Sequence, residues 1–179
     1  MITSTESGHL HSLTIGMLQT GLRNMGKIMD KAKAQVAASG PDLTELLEAR
    51  LHLSMFNLLQ QLQYMAYLSV EFARHLASAA PPRVGYDETS WEELRLSLDQ
   101  AAAYLASVPV SKIAAEADRM VPIFMDDSRG MSLADYAAKV IVPDFHFHMV
   151  IAYGLLRQKG ISIGKSDFLG PLSTVDVAK

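Results

Sequence analysis

The 179-residue chain contains no cysteine, which excludes disulfides, thiolate nucleophiles and cysteine–zinc sites together. It has no basic excess either: 16 Lys and Arg stand against 19 Asp and Glu, a net charge of −3. That balance offers no electrostatic footprint for nucleic acid or for an anionic membrane surface. No Gly-rich phosphate loop, GxSxG elbow or HExxH pair occurs, so the usual phosphate, serine-hydrolase and zincin signatures are absent. Met1 to Ser7 lacks the basic start and apolar stretch of a signal peptide. Leu51 to Val70 is uncharged and long enough to span a bilayer, but it carries His52, Ser54, Asn57, Gln60, Gln61, Gln63 and Ser69. Those polar groups are costly in hydrocarbon, and a buried helix of a soluble protein explains the run better. The expectation is a soluble, cytoplasmic protein with no nucleic-acid or membrane partner.

What is present is the composition of a folded chain, 49% hydrophobic and 20% charged, far from the disordered regime. A chain of this length buries about 70% of its unfolded surface, so one domain over residues 1–179 needs no covalent staple. Leu10, Leu13, Met17, Leu18, Leu22, Met25 and Ile28 recur at spacings of three and four, predicting a helix over about 5–38. Gly16, Gly21 and Gly26 weaken that helix, and close helix packing would account for them. After Gly40-Pro41, with Asp42 or Thr44 as cap, 43–78 reads as the longest helix, and Leu53–Ser54 is the point where it could break. Ser90 with Glu93 forms a capping-box pattern opening a third helix that ends at Pro109. Met120 to Met125 and the following turn read as a small hairpin, with a short helix before it over 111–118. Ser132 restarts a helix at Leu133. Pro143 either kinks it or opens a separate final helix running to Lys159, with Gly160 as the stop and an extended tail after it. Four long helices, one long crossover between the third and fourth, and little strand describe an all-α four-helix bundle.

Chemistry concentrates on the final helix, at Asp144-Phe145-His146-Phe147-His148. With about 100° per residue, Asp144 and His148 lie about 40° apart on one face, and His146 points about 160° away. Asp144 and His148 can therefore act together in one of three ways. They can be a structural ion pair near the helix start, an acid–base pair in which the carboxylate orients the imidazole, or two ligands of one metal ion. The helix is apolar around most of its circumference, so its polar groups need partners. His146 falls near Tyr153 in projection and reads as a satisfied core or interface histidine. On the second helix, His52 and Gln61 flank the apolar arc, and Gln60, Gln61, Gln63, Tyr64 and Tyr67 could line a polar pocket. His9 and His11 lie near the chain start and read as exposed.

The last helix and tail carry a family likeness. Phe145-His146-Phe147-His148, then Ala152-Tyr153-Gly154-Leu155-Leu156-Arg157, then Gly160-Ile161-Ser162-Ile163-Gly164-Lys165-Ser166-Asp167-Phe168-Leu169 resembles the domain-of-unknown-function family one-nine-nine-three. Ala49-Arg50-Leu51, Met55-Phe56 and Gln61-Leu62-Gln63 add to the likeness, which spans about Ser12 to Leu169. That family is similar to the DinB/YfiT-like superfamily of four-helix bundles, which includes metalloenzymes and thiol-dependent transferases. The resemblance implies a site of three histidines, one on the second helix and an HxxxH pair on the last. Here His148 matches the second member of that pair, Asp144 stands where the first would be, and the second-helix ligand falls near Ser54, two residues from His52.

These readings give one leading expectation. A DinB-like bundle, as a homodimer, binds a small organic molecule in a central pocket, with His148 as general acid or base and Asp144 as its orienting carboxylate. His52, Gln61, Tyr64 and Tyr153 are the substrate-positioning candidates, Lys165 and Asp167 possible tail contacts, and no cofactor is required. An isomerase, cyclase or lyase step needs only such proton transfers. The alternatives are a metalloenzyme holding a divalent ion with Asp144, His148 and His52, and a non-catalytic dimeric interaction or ligand-storage protein.

Overall fold

The computed structural model describes residues 4–39, 42–123 and 126–176. Its elements are α1 (Ser4–His11), a π-helical turn (Ser12–Gly16), α2 (Met17–Ser39), α3 (Leu43–Glu48), α4 (Leu58–Arg74), α5 (Trp91–Ala106) and α6 (Val110–Ala115). They are followed by β1 (Met120–Ile123), β2 (Asp126–Ser132), α7 (Leu133–Tyr136), a second π turn (Ala137–Ile141), α8 (Val142–Gln158) and α9 (Lys165–Leu169). Four long helices pack in a ring: α2 against α5, α5 against α4, α4 against α8, and α8 back against α2. The all-α bundle with its crossover is the architecture expected. The connection from α5 to α8 carries α6 and an antiparallel hairpin in which Val121 pairs with Met131. Gly40 and Pro41, read as the break after the first helix, lie outside the described residues.

Apolar residues spaced by three and four turn inward from each wall. Leu22, Met25, Leu62, Met65, Leu98, Leu105, Phe145 and Leu155 are all at most 1% exposed, which is where the hydrophobic stabilisation of the bundle resides. Both α2 glycines, Gly21 and Gly26, have steric reasons. A Cβ on Gly21 would lie 2.4 Å from Phe145 of α8, and one on Gly26 would lie 2.9 Å from the Arg95 guanidinium of α5. Arg95 crosses Gly26 to pair with Asp30 at 3.0 Å. Glycine lets the helices approach, and that gain outweighs its helix-propensity cost.

Two boundaries differ from the sequence expectation, and the structure chooses between the alternatives at Pro143. The run read as one helix over 43–78, with Leu53–Ser54 as the point where it could break, is two helices, because residues 49–57 form a turn-rich segment around that point and Asn57 starts α4 afresh. Asn57 Oδ1 accepts from Gln60 N at 3.0 Å and Gln60 Oε1 accepts from Asn57 N at 3.1 Å, a capping box that beats continued helix. His52 is thus on an exposed turn and not on a helix face. Pro143 takes the second of its two expected roles, at the start of the final helix. It occupies the first turn of α8, directly after the π turn at Ala137–Ile141. There a wider turn absorbs the missing N–H and the ring's clash with the carbonyl four residues back. The tail is not wholly extended, since Asp167 Oδ2 accepts from Gly164 N at 2.7 Å and closes α9. Gly160 ends α8 as expected, with φ +85° and Ile161 N bonded to Leu156 O at 3.0 Å.

The glycine geometry makes a paired prediction. Gly21→Ala should cost about 1–3 kcal/mol and lower the thermal midpoint by several degrees, because Phe145 must move. Gly154→Ala, where an added Cβ meets nothing within 4 Å, should instead stabilise by about 0.5–1 kcal/mol. Thermal unfolding of the two variants checks both signs.

Candidate functional site

The capping box that starts α4 sets the phase of the helix and turns Gln61 inward, where it is 1% exposed. The Asn57 amide also donates to Glu48 Oε2 at 3.2 Å, anchoring this corner to α3. Gln61 Nε2 donates to the Phe56 carbonyl at 3.1 Å. Its oxygen therefore faces α8, 2.6 Å from His148 Nδ1. A carboxamide oxygen only accepts, so Nδ1 carries the proton and the neutral ring keeps its lone pair on Nε2.

On that second side stands Asp144, one turn earlier on α8, with Oδ1 3.4 Å from Nε2. The separation is long for an N–H···O hydrogen bond but close for a charge pair. Tyr64 completes the cluster. Its ring centroid lies 4.4 Å from that of His148, and its hydroxyl lies near enough to Asp144 to feel the carboxylate's charge. Burial, then the Asp144 charge, push the Tyr64 hydroxyl up to about 12, so it stays protonated beside the carboxylate. Burial holds His148 below the usual imidazole value, against the opposing pull of Asp144. The ring is poised as a neutral base whose protonated form has a carboxylate beside it. Phe56 stacks over the ring at 5.9 Å and Phe147 meets it edge-on at 5.3 Å. The His148 side chain is 9% exposed and that of Asp144 27%. Solvent thus reaches the acid and not the body of the ring.

Of the residues singled out in the sequence, Asp144, His148, Gln61 and Tyr64 come together. His52 does not join them: its Nδ1 turns back onto Ser54, 2.8 Å from Oγ, on the exposed turn. Tyr153 packs edge-on against Phe168 of the tail at 5.8 Å. Asp167 is spent on the α9 cap and on Lys31, 2.9 Å away. Phe56 and Phe147 were not singled out for the site, although both sit beside motif residues; nothing in the residue pattern says that the segment before Asn57 folds back over α8. Where a hollow was expected at the centre of the bundle, Leu62, Met65, Phe145 and Leu155 are at most 1% exposed, and His148 lines none of the four clefts beside Ser97, Met17, Arg74 and Glu48.

The same geometry bears on a metal ion. His148 Nε2 and Asp144 supply two donors, and the neighbouring ring is Phe56, which offers none. Among the described residues no group of three His, Cys, Asp or Glu is placed to hold a metal. The set His148, Asp144 and His52 is not assembled, and the residues do not fit a three-ligand centre of the kind structural and catalytic sites use.

Two outcomes follow for stability. Gln61→Leu leaves the buried Nδ1–H without an acceptor and should destabilise by about 1–3 kcal/mol, read from denaturant midpoints. Burial lowers the folded-state values of His148 and His75, so the unfolded chain binds more protons from about pH 6.5 down to those values. Stability is therefore full above about pH 6.5 and falls as pH drops through that window. His148→Gln should flatten this dependence above about pH 5, before carboxylates titrate; an unchanged slope would contradict the protonation state assigned to the ring.

The fold and cluster can be set beside known proteins. A crystal structure of a DinB family member protein from Shewanella denitrificans superposes with a TM-score of 0.85 at 27% identity, covering 98% of this chain and 99% of that one. No curated protein matches the chain. No helix among the described residues is long and apolar enough to cross a membrane. A family model described as "Domain of unknown function (DUF1993)" matches residues 10–169, a span that holds every member of the Gln61–His148–Asp144–Tyr64 cluster, and the chain belongs to that family.

Proposed function

We propose that this protein binds a small organic molecule at the Asp144–Tyr64–Phe56 edge and moves a proton on it through His148 Nε2. One observation supports the reading above others: the Gln61 amide is held at both ends, by Phe56 O and by His148 Nδ1. A ring so fixed presents one defined basic nitrogen. Asp144 stabilises the imidazolium that forms when His148 takes the proton, and Tyr64 stays protonated beside it. Gln61 is a positioning residue. The reaction class is an isomerisation, cyclisation or elimination, in which one group takes a proton and returns it, and no step passes through a metal.

Cyclic ketone fragments test this, because their α-protons exchange with deuterium oxide when a base removes them. The wild-type protein should speed exchange in proportion to the neutral fraction of His148. His148→Gln should abolish the acceleration and Asp144→Asn should weaken it. Equal exchange by wild type and His148→Gln would contradict the proposal.

A second reading has its own support. Leu53 is 88% exposed, Phe147 and Val150 are each 54% exposed, and Phe56 is 41% exposed. Phe56 and Phe147 flank His148. A second copy of the chain covering this apolar rim would make the protein a homodimer, with an interaction or ligand-storage role. Sedimentation should then show a dimer that Val150→Asp converts to monomer; a monomeric wild type would exclude this reading.

A further inference from the structure

A second cleft lies on the opposite side of α8 from the His148 cluster. It has a volume of about 430 Å³ and is bounded by the first π turn, the start of α2, α8 and the tail. That size is within the range of small-molecule sites. Its polar groups include two histidines with ring nitrogens to offer. His146 Nδ1 donates to Val142 O at 2.7 Å, which leaves the Nε2 lone pair free in the neutral ring. His11 Nε2 is shielded from solvent and has no hydrogen-bond partner among the described residues. An unpaired buried nitrogen costs stability unless something else supplies its partner. His11 was read from sequence as an exposed residue near the chain start; α1 instead holds it in the cleft wall, where Ser7 Oγ ties that helix to Val110 O at 3.1 Å.

The outer wall is also fastened in place. Asn24, 4% exposed, donates to Phe168 O at 3.1 Å. Gln35 exchanges two hydrogen bonds with Ser162, at 3.2 and 2.7 Å, and Lys31 pairs with Asp167. Gly170, at φ +70°, lets the chain pass Asn24 where a Cβ would lie 2.5 Å from its side chain. These ties hold Phe168 and Leu169 over a floor that includes Met17 and Met149. Among the described lining residues there is no Asp, Glu, Lys or Arg. The first π turn forms part of the rim, and such turns recur at functional sites because they shift helix register.

We infer that this cleft is a binding site for an uncharged, largely apolar small molecule carrying one hydrogen-bond donor, which His11 or His146 accepts while Met17, Met149 and Phe168 enclose the apolar part. The site is separate from the His148 cluster and does not depend on its chemistry.

N-Phenyl-1-naphthylamine, a neutral fluorophore with a single N–H, is the probe, and 1-anilinonaphthalene-8-sulfonate is its charged counterpart. The wild type should bind the neutral probe saturably and the sulfonate about tenfold more weakly. Gly16→Phe fills the cleft from a position where an added Cβ meets only ordinary contacts, 3.6 Å or more away, and should weaken the neutral probe by at least about tenfold. His11→Leu should weaken it by about fivefold while leaving the thermal midpoint unchanged or higher, because it removes an unpaired nitrogen. With carbon-13 methyl labels, Met17 and Met149 should shift on binding and Met131 should not. His148→Gln should bind the probe as the wild type does. No saturable binding by the wild type, binding unaltered by Gly16→Phe, or loss of binding in His148→Gln would overturn the assignment.

Discussion

The hydrogen bond between His148 Nδ1 and Gln61 Oε1, 2.6 Å long, is the interaction from which the rest of the candidate site takes its meaning. It crosses between α4 and α8, which pack along each other in the ring of four helices. Gln61 cannot turn to donate to the ring, because its nitrogen is bonded to Phe56 O. Phe56 and Gln61 in turn are set by the capping box at Asn57. A local rule about how a helix begins is thus transmitted, through Gln61, to the protonation pattern of an imidazole 87 residues beyond that glutamine.

Burying these groups is expensive, and the structure meets that cost by satisfying each one. Gln61, Asn57 and His148 are all less than 9% exposed, and all are bonded. Their surroundings are apolar, so each bond is stronger than in water and each lost partner more damaging. The surrounding core gains its stability from a different source, the removal of leucine, methionine and phenylalanine side chains from solvent. Polar specificity at the α4–α8 seam and apolar bulk elsewhere divide the work. The proton-transfer reading draws on the first, and the closely packed α2–α8 contact at Gly21 belongs to the second.

Much of the fold was legible because helices announce themselves locally. The Ser90–Glu93 capping box, the Ser132 cap and the Gly160 stop each follow from residues within one turn. The three-and-four spacing in α2, α5 and α8 marks a buried face whatever it packs against. Within α8, the i,i+4 spacing of Asp144 and His148 was enough to place them together. What stayed hidden depends on partners far away in sequence. The sequence marks Leu53–Ser54 as a point where the helix could break, but nothing in it says that the segment before Asn57 lays Phe56 over His148. Gln61 was visible as a candidate but not as the acceptor of Nδ1–H, since that needs the relative rotation of two helices. His11 looked like a terminal residue because nothing local says that the tail and α8 meet there.

The DUF1993 match and the DinB family neighbour agree with the bundle, and a shared fold can carry several chemistries. Which nitrogen of the His148 ring carries the proton decides what the cluster can do. Long-range proton–nitrogen correlation spectra of His148, recorded from pH 8 down to pH 5, read this directly. The prediction is a protonated Nδ1 throughout and an unprotonated Nε2 near neutral pH that gains its proton only below the ordinary imidazole value. A neutral ring carrying its proton on Nε2 would contradict it, because Gln61 would then not be the residue that sets the ring.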